Sequence, residues 1–281
     1  MIVVTGATGN IGRTLVPRLV EAGEEVVAVS RRPQPAGLPG GVRHAQADPG
    51  DSATMRPVLE GAHALFLLLG GELNSRGESP DALLEAAVDG GVERVVLLSS
   101  QINSTRSEAL SHTRLREYEA AVRASGAESV ILRPGNFASN AFAWAESVRV
   151  QRAVFAPFGD VALPVVDPAD IAEVAAAALR EDGHAGRTYE LTGPEVISPR
   201  QQAAVISGAL GEDVTFVELT REDAHAHMAR FMPEEVIDGT LDVLGAPLPA
   251  EQAISPDVER VLHRPARPFG EWVARNLPAF R

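Results

Sequence analysis

Residues 6–12 read Gly-Ala-Thr-Gly-Asn-Ile-Gly and follow directly on the apolar run Ile2-Val3-Val4. A strand, a glycine turn and a helix start in that order suit one chemistry, the capture of a dinucleotide pyrophosphate. Glycines let the backbone turn tightly and approach phosphate oxygens with no Cβ in between. The first helical turn then offers unpaired N–H groups and the positive end of the peptide dipole. Gly6, Thr8, Gly9, Asn10, Ile11 and Gly12 are the candidate cradle. The helix expected over 10–22, with Ile11, Leu15, Leu19 and Val20 on one face, supplies the context that three glycines alone lack.

The second strand carries the next candidates. Dinucleotide folds that select NAD place an acidic residue about 20 residues past the glycines, where it accepts hydrogen bonds from the ribose. Here Arg31 and Arg32 stand at that point. A guanidinium cannot accept those bonds but pairs with a 2′-phosphate, so the expected cofactor is NADPH/NADP; ordinary loop charges are the other reading. Asp48 suits either the adenine amino group or a turn carboxylate ahead of a helix.

The elements that must position these residues alternate. Strands are expected at 2–5, 25–30, 42–46, 63–69, 94–99 and 129–133, with helices at 10–22, 52–60, 79–90 and 108–125. That rhythm predicts an α/β fold, a doubly wound parallel Rossmann sheet. Strands 63–69 and 94–99 are almost continuously apolar, as strands covered on both faces are. After Arg133-Pro134-Gly135 the pattern changes. A strand near 161–166, a helix from Pro168, strands at 187–191 and 214–218 and a helix at 199–209 precede a mostly helical remainder. The expected division is a cofactor domain over 1–135, with later returns near 161–191, and a smaller mixed substrate lobe over 136–281.

Composition excludes several classes. The net charge of −13 argues against a nucleic-acid binder. No apolar run is long enough to span a bilayer, and with the first strand beginning at once a cytoplasmic protein is expected. There is no cysteine, and all 25 Lys+Arg residues are arginine, so thiolate and lysine chemistry are excluded. His225 and His227 lie two apart on a helical stretch, facing different ways, and no metal site is expected.

Thr5 through Gly12, Val96-Leu97-Leu98-Ser99-Ser100-Gln101, Glu119 through Ser125-Gly126, Ile131 through Phe137 with Asn140, and Val166 through Ala172 together resemble the NmrA-like group of atypical short-chain dehydrogenases/reductases. The resemblance covers most of residues 1–195. It implies NADP in an extended groove, with Gly70 near its path and Pro134, Gly135, Asn136 and Phe137 close to the nicotinamide; Ser99 suits shaping that groove through backbone contacts. One departure stands out. The superfamily's Tyr-x-x-x-Lys pair falls near Ser111 and Leu115, and neither residue can play those parts.

Hydride transfer needs a nicotinamide and an acceptor at the right distance, while the proton can come from several sources. His112, Ser100 and Gln101 are the catalytic candidates, His112 because imidazole titrates near neutrality. Phe137, Phe142, Trp144, Phe155 and Phe158 suit either an apolar substrate pocket or lobe packing. The expectation is an NADPH-dependent ketoreductase or quinone reductase of a bulky, fairly apolar, possibly aromatic, polyketide-type small molecule, acting as a possible homodimer. The alternative is a non-catalytic NADP-binding sensor with a protein partner.

Overall fold

The computed structural model describes residues 1–33, 37–70, 77–230 and 232–281. Among these, β1 (Ile2–Val4), β2 (Val26–Ser30), β3 (Arg43–Gln46), β4 (Ala64–Leu68), β5 (Arg94–Leu98), β6 (Glu128–Pro134) and β10 (Thr188–Leu191) form one seven-stranded sheet in the order β3-β2-β1-β4-β5-β6-β10. Every pairing in it is parallel. The strands are apolar on both faces because both faces are covered. Ile2, Val4, Ala64, Phe66 and Val96 point into a core shared with α1 (Gly12–Glu21) and α7 (Pro168–Arg180). Val3, Leu65, Leu67, Val95 and Leu97 point the other way, toward α2 (Ser52–Leu59), α3 (Pro80–Asp89) and α5 (Thr113–Ala124). The doubly wound fold expected from the sequence is thus the fold observed.

Helix starts follow a repeated local rule. Ser79-Pro80, Asp167-Pro168 and Ser198-Pro199 each place a side-chain cap before a proline that has no N–H to satisfy. Asp51 caps α2 in the same way, accepting from the amides of Ala53 and Thr54.

The helix expected over 108–125 is shorter. The chain forms α4 (Ile102–Thr105), then a 3-10 turn at Leu110–His112, and α5 begins only at Thr113. Extended backbone at Ala109 and no side-chain bond at either cap interrupt the helix.

Smaller sheets lie beyond the main one. Strand β9 (Leu163–Val166) pairs in parallel with β7 (Asn136–Phe137) and antiparallel with β11 (Val196–Ile197). Strand β8 (Ala153–Pro157) pairs with β12 (Thr215–Leu219). The sequence pattern misses β8, a short run whose partner lies some sixty residues on. The remaining helices are α6 (Ala145–Gln151), α8 (Pro199–Leu210), α9 (Arg221–Met228), α10 (Glu234–Gly245), α11 (Pro249–Gln252), α12 (Asp257–Leu262) and α13 (Phe269–Asn276).

Four of the five candidate aromatic residues, Phe137, Phe142, Trp144 and Phe158, go to packing. Phe142 meets the Trp272 ring edge-on at 4.8 Å, and Trp144 packs in the same cluster with Phe269 and Phe280. Phe158 packs against Gly245, and Phe137 against the main core. None of them lines the cavity described below.

Candidate active site

The glycine loop is closed on itself. The Gly6 backbone is left-handed (φ 62°), its carbonyl accepts from the Gly9 amide at 2.9 Å, and Gly12 packs so closely that a Cβ would lie 2.3 Å from the Gly6 oxygen. Among the described residues nothing accepts from the amides of Asn10, Ile11 or Gly12. Open amides at a helix start, in a turn that tolerates no side chain, fit a pyrophosphate. Thr5 ties the loop to β4, its hydroxyl bonding to Phe66 and Leu68. Asn10 donates to Ser139 Oγ at 2.6 Å, joining the loop to the segment after β7.

Arg31 and Arg32 are exposed at the end of β2, and no described carboxylate pairs with either guanidinium. Asp48 accepts from the Gly50 amide at 2.9 Å, as a turn carboxylate does. Gly70 ends a described stretch just beyond β4.

At the carboxyl ends of β5 and β6 lies a cavity of about 190 Å³. It brings together Ser100, Gln101, His112, Pro134, Gly135 and Asn136, which the sequence scatters over 37 positions. The Gly135 amide donates to Leu191 and the Pro134 carbonyl accepts from Gln101, so the strip is held from both sides. The opposite wall is α10, through Val236, Val243 and Leu244. His112 bonds Ser111 Oγ through Nδ1 at 3.0 Å. Burial, aided by the Arg116 charge, holds its imidazole below the ordinary histidine value.

Ser99 does not line this cavity. Its hydroxyl donates to Glu119, a carboxylate 7% exposed that also accepts from Asn103 at 3.1 Å and from Arg133 at 3.0 and 2.7 Å. Burial pushes Glu119 up, but the bonds from Arg133, Ser99 and Asn103 outweigh it and hold the carboxyl below the usual range. This network braces the strand ends beneath the cavity. Tyr118 is buried under Arg114, and Tyr189 bonds His184 at 2.8 Å; neither reaches the cavity wall.

Sequence reasoning assigns no role to Arg106, Glu251 or the α10 wall. The one local signal is a glutamate three residues past Leu248, where it accepts the Leu248 amide at 2.8 Å.

A parallel sheet in this order, with an open-amide glycine loop and a cavity at the strand ends, defines a dinucleotide-binding α/β protein. Residues 6–182 match the family model described as NAD(P)H-binding, and the chain belongs to that family. It is 38% identical to the (4-alkanoyl-5-oxo-2,5-dihydrofuran-3-yl)methyl phosphate reductase of Streptomyces griseus, over 100% of this chain and 99% of that protein. It is 31% identical to the NAD(P)H azoreductase of Xenophilus azovorans, again over 100% and 99%. The NADPH complex of the Escherichia coli quinone oxidoreductase QOR2 superposes with a TM-score of 0.82 at 26% identity, covering 99% of this chain and 100% of that one. The chain is therefore an NAD(P)H-dependent oxidoreductase by family, and the kinship with atypical short-chain reductases stands.

Proposed function

We propose that the chain is an NADPH-dependent reductase of a conjugated carbonyl acceptor, either a quinone or an α,β-unsaturated ketone or lactone. The observation that carries this reading is the cavity itself, which abuts the Pro134–Asn136 strip and offers, among the described residues, no strong acid to protonate an alkoxide. Arg31 and Arg32, unpaired among the described residues, are the groups to hold a 2′-phosphate. The relatives point the same way: one is named for an oxo-dihydrofuran phosphate, and QOR2 for quinones and NADPH.

Bound in the groove, the cofactor supplies a hydride. The open amides of Asn10, Ile11 and Gly12 hold the pyrophosphate, and Pro134 to Asn136 border the nicotinamide end. Reduction of a simple ketone leaves a localised, strongly basic oxyanion that needs a matched acid. Hydride addition to a quinone or enone leaves an oxyanion spread over the conjugated system, which solvent can protonate. His112, bonded to Ser111 Oγ through Nδ1 and held below the ordinary histidine value by burial, serves as a neutral hydrogen-bonding group rather than a strong acid.

The test is loss of reduced-nicotinamide absorbance with a quinone, an unsaturated lactone and a saturated ketone. Turnover of the first two but not the third is expected. No turnover on any acceptor refutes the reductase and leaves a non-catalytic dinucleotide sensor.

A further inference from the structure

Arg106 and Glu251 both stand in the cavity wall, though they lie 145 residues apart in the chain. The Glu251 side chain is 1% exposed. Its Oε1 accepts from Arg106 Nε at 2.7 Å and from Thr105 Oγ1 at 3.0 Å. Its Oε2 accepts from Arg106 Nη2 at 2.9 Å and from the Leu248 amide. Arg106 Nη2 also donates to the Ala246 carbonyl at 3.1 Å. The carboxylate is taken up on both oxygens and neutralises the guanidinium, which commits Nε and Nη2, and the pair clips the end of the α10 wall onto the segment after β5. Burial pushes Glu251 up, but the bonds from Arg106, Leu248 and Thr105 prevail and keep it ionised.

Among the described residues the other ionisable group in the wall is His112, kept neutral by burial and by Arg116, which is not among the described lining residues. Leu163, Pro164, Val236, Val243 and Leu244 make up much of the remainder. Among the described lining residues, an anionic substituent entering here would lose its hydration and meet no cation without a counter-charge.

We infer that the cavity selects an uncharged acceptor, and that the Arg106–Glu251 pair sets this specificity by keeping the guanidinium from a substrate anion. The inference rests on the reductase reading above, and it sets this chain apart from the relative named for a phosphate ester.

NADPH oxidation with ortho-naphthoquinone and with its ring-sulfonated derivative tests it. The sulfonate withdraws electrons and makes the ring the more reactive acceptor in solution, so a preference for the parent has to come from the protein. The wild-type chain is expected to favour the parent in kcat/KM by about tenfold or more. Glu251→Gln, which strips Arg106 of its counter-charge, moves that ratio about tenfold toward the sulfonate through KM, and added salt weakens the gain. Arg106→Gln removes the cation instead and leaves the ratio at or above the wild-type value. If both variants shift the ratio alike, the pair acts only by holding the wall and the inference fails. Where neither variant folds, the wild-type ratio decides. Equal use of both quinones by the wild type overturns the inference and leaves the reductase standing, whereas turnover of neither overturns the reductase and the inference with it.

Discussion

Gly12→Ala is the sharpest perturbation of the cofactor cradle. The added Cβ would lie 2.3 Å from the Gly6 carbonyl oxygen and 2.5 Å from both the carbonyl carbon and the Cα of Ala7, against 3.4 Å where ordinary contact begins. All three obstacles are backbone, so no side chain can rotate away. Either the loop or the start of α1 must move by about 1 Å. Overpacking of this kind costs roughly 1–3 kcal/mol of stability. The same shift carries the Asn10, Ile11 and Gly12 amides off the phosphates. Losing one or two charge-assisted bonds, at about 1.5–3 kcal/mol each, weakens NADPH binding by about 10²-fold. Calorimetric titration gives the Kd, and thermal unfolding without cofactor gives the stability. The control is Gly208→Ala in α8, an exposed site where a Cβ meets nothing within 4 Å. There the helix gains up to about 1 kcal/mol and NADPH binding is unchanged. A folded Gly12→Ala protein with wild-type affinity would show that residues 6–12 are a structural turn and not a phosphate site.

Three other outcomes follow from the geometry. Arg31→Asp weakens NADPH binding by about tenfold or more while leaving NADH binding within about twofold, and equal losses in a paired titration would remove Arg31 from the 2′-phosphate site. Glu119→Gln costs roughly 1–3 kcal/mol at neutral pH by removing the closest counter-charge of the half-buried Arg133, which keeps Glu190 at 3.6 Å. Because Glu119 is held below its unfolded value near 4.3, its contribution is complete above about that pH and is lost as pH falls through the lower folded value, so the gap in Tm between wild type and variant narrows below about pH 4. His112→Ala lowers kcat/KM on a quinone by less than about tenfold, short of the 10²–10⁴ of a general acid. With the imidazole already neutral, the wild-type pH profile does not fall from about pH 6.5 to 8; a decline over that interval would restore His112⁺ as the proton donor.

The cofactor half was legible because its signals are local. A continuous apolar run at Ile2-Val3-Val4, glycines at 6, 9 and 12, and a cap-proline pair before each of three helices all act within a few residues. The substrate half was not, because its contacts join distant segments. Glu251 reaches Arg106 across 145 residues, and α10 closes the cavity from still another segment. Nothing in Pro249-Ala250-Glu251 marks the glutamate as a cavity group rather than a surface charge. The aromatic residues show the same limit. Phe142 and Trp144 suited a substrate pocket as well as packing, until Phe269, Trp272 and Phe280 arrived from the carboxyl end to occupy their faces. Removing those rings from the site alters the chemistry to be expected there. An aromatic-lined pocket would have favoured stacked polycyclic substrates, whereas the described lining is a mixture of aliphatic and uncharged polar side chains around His112 and the Arg106–Glu251 pair, so any preference there has to come from shape and charge.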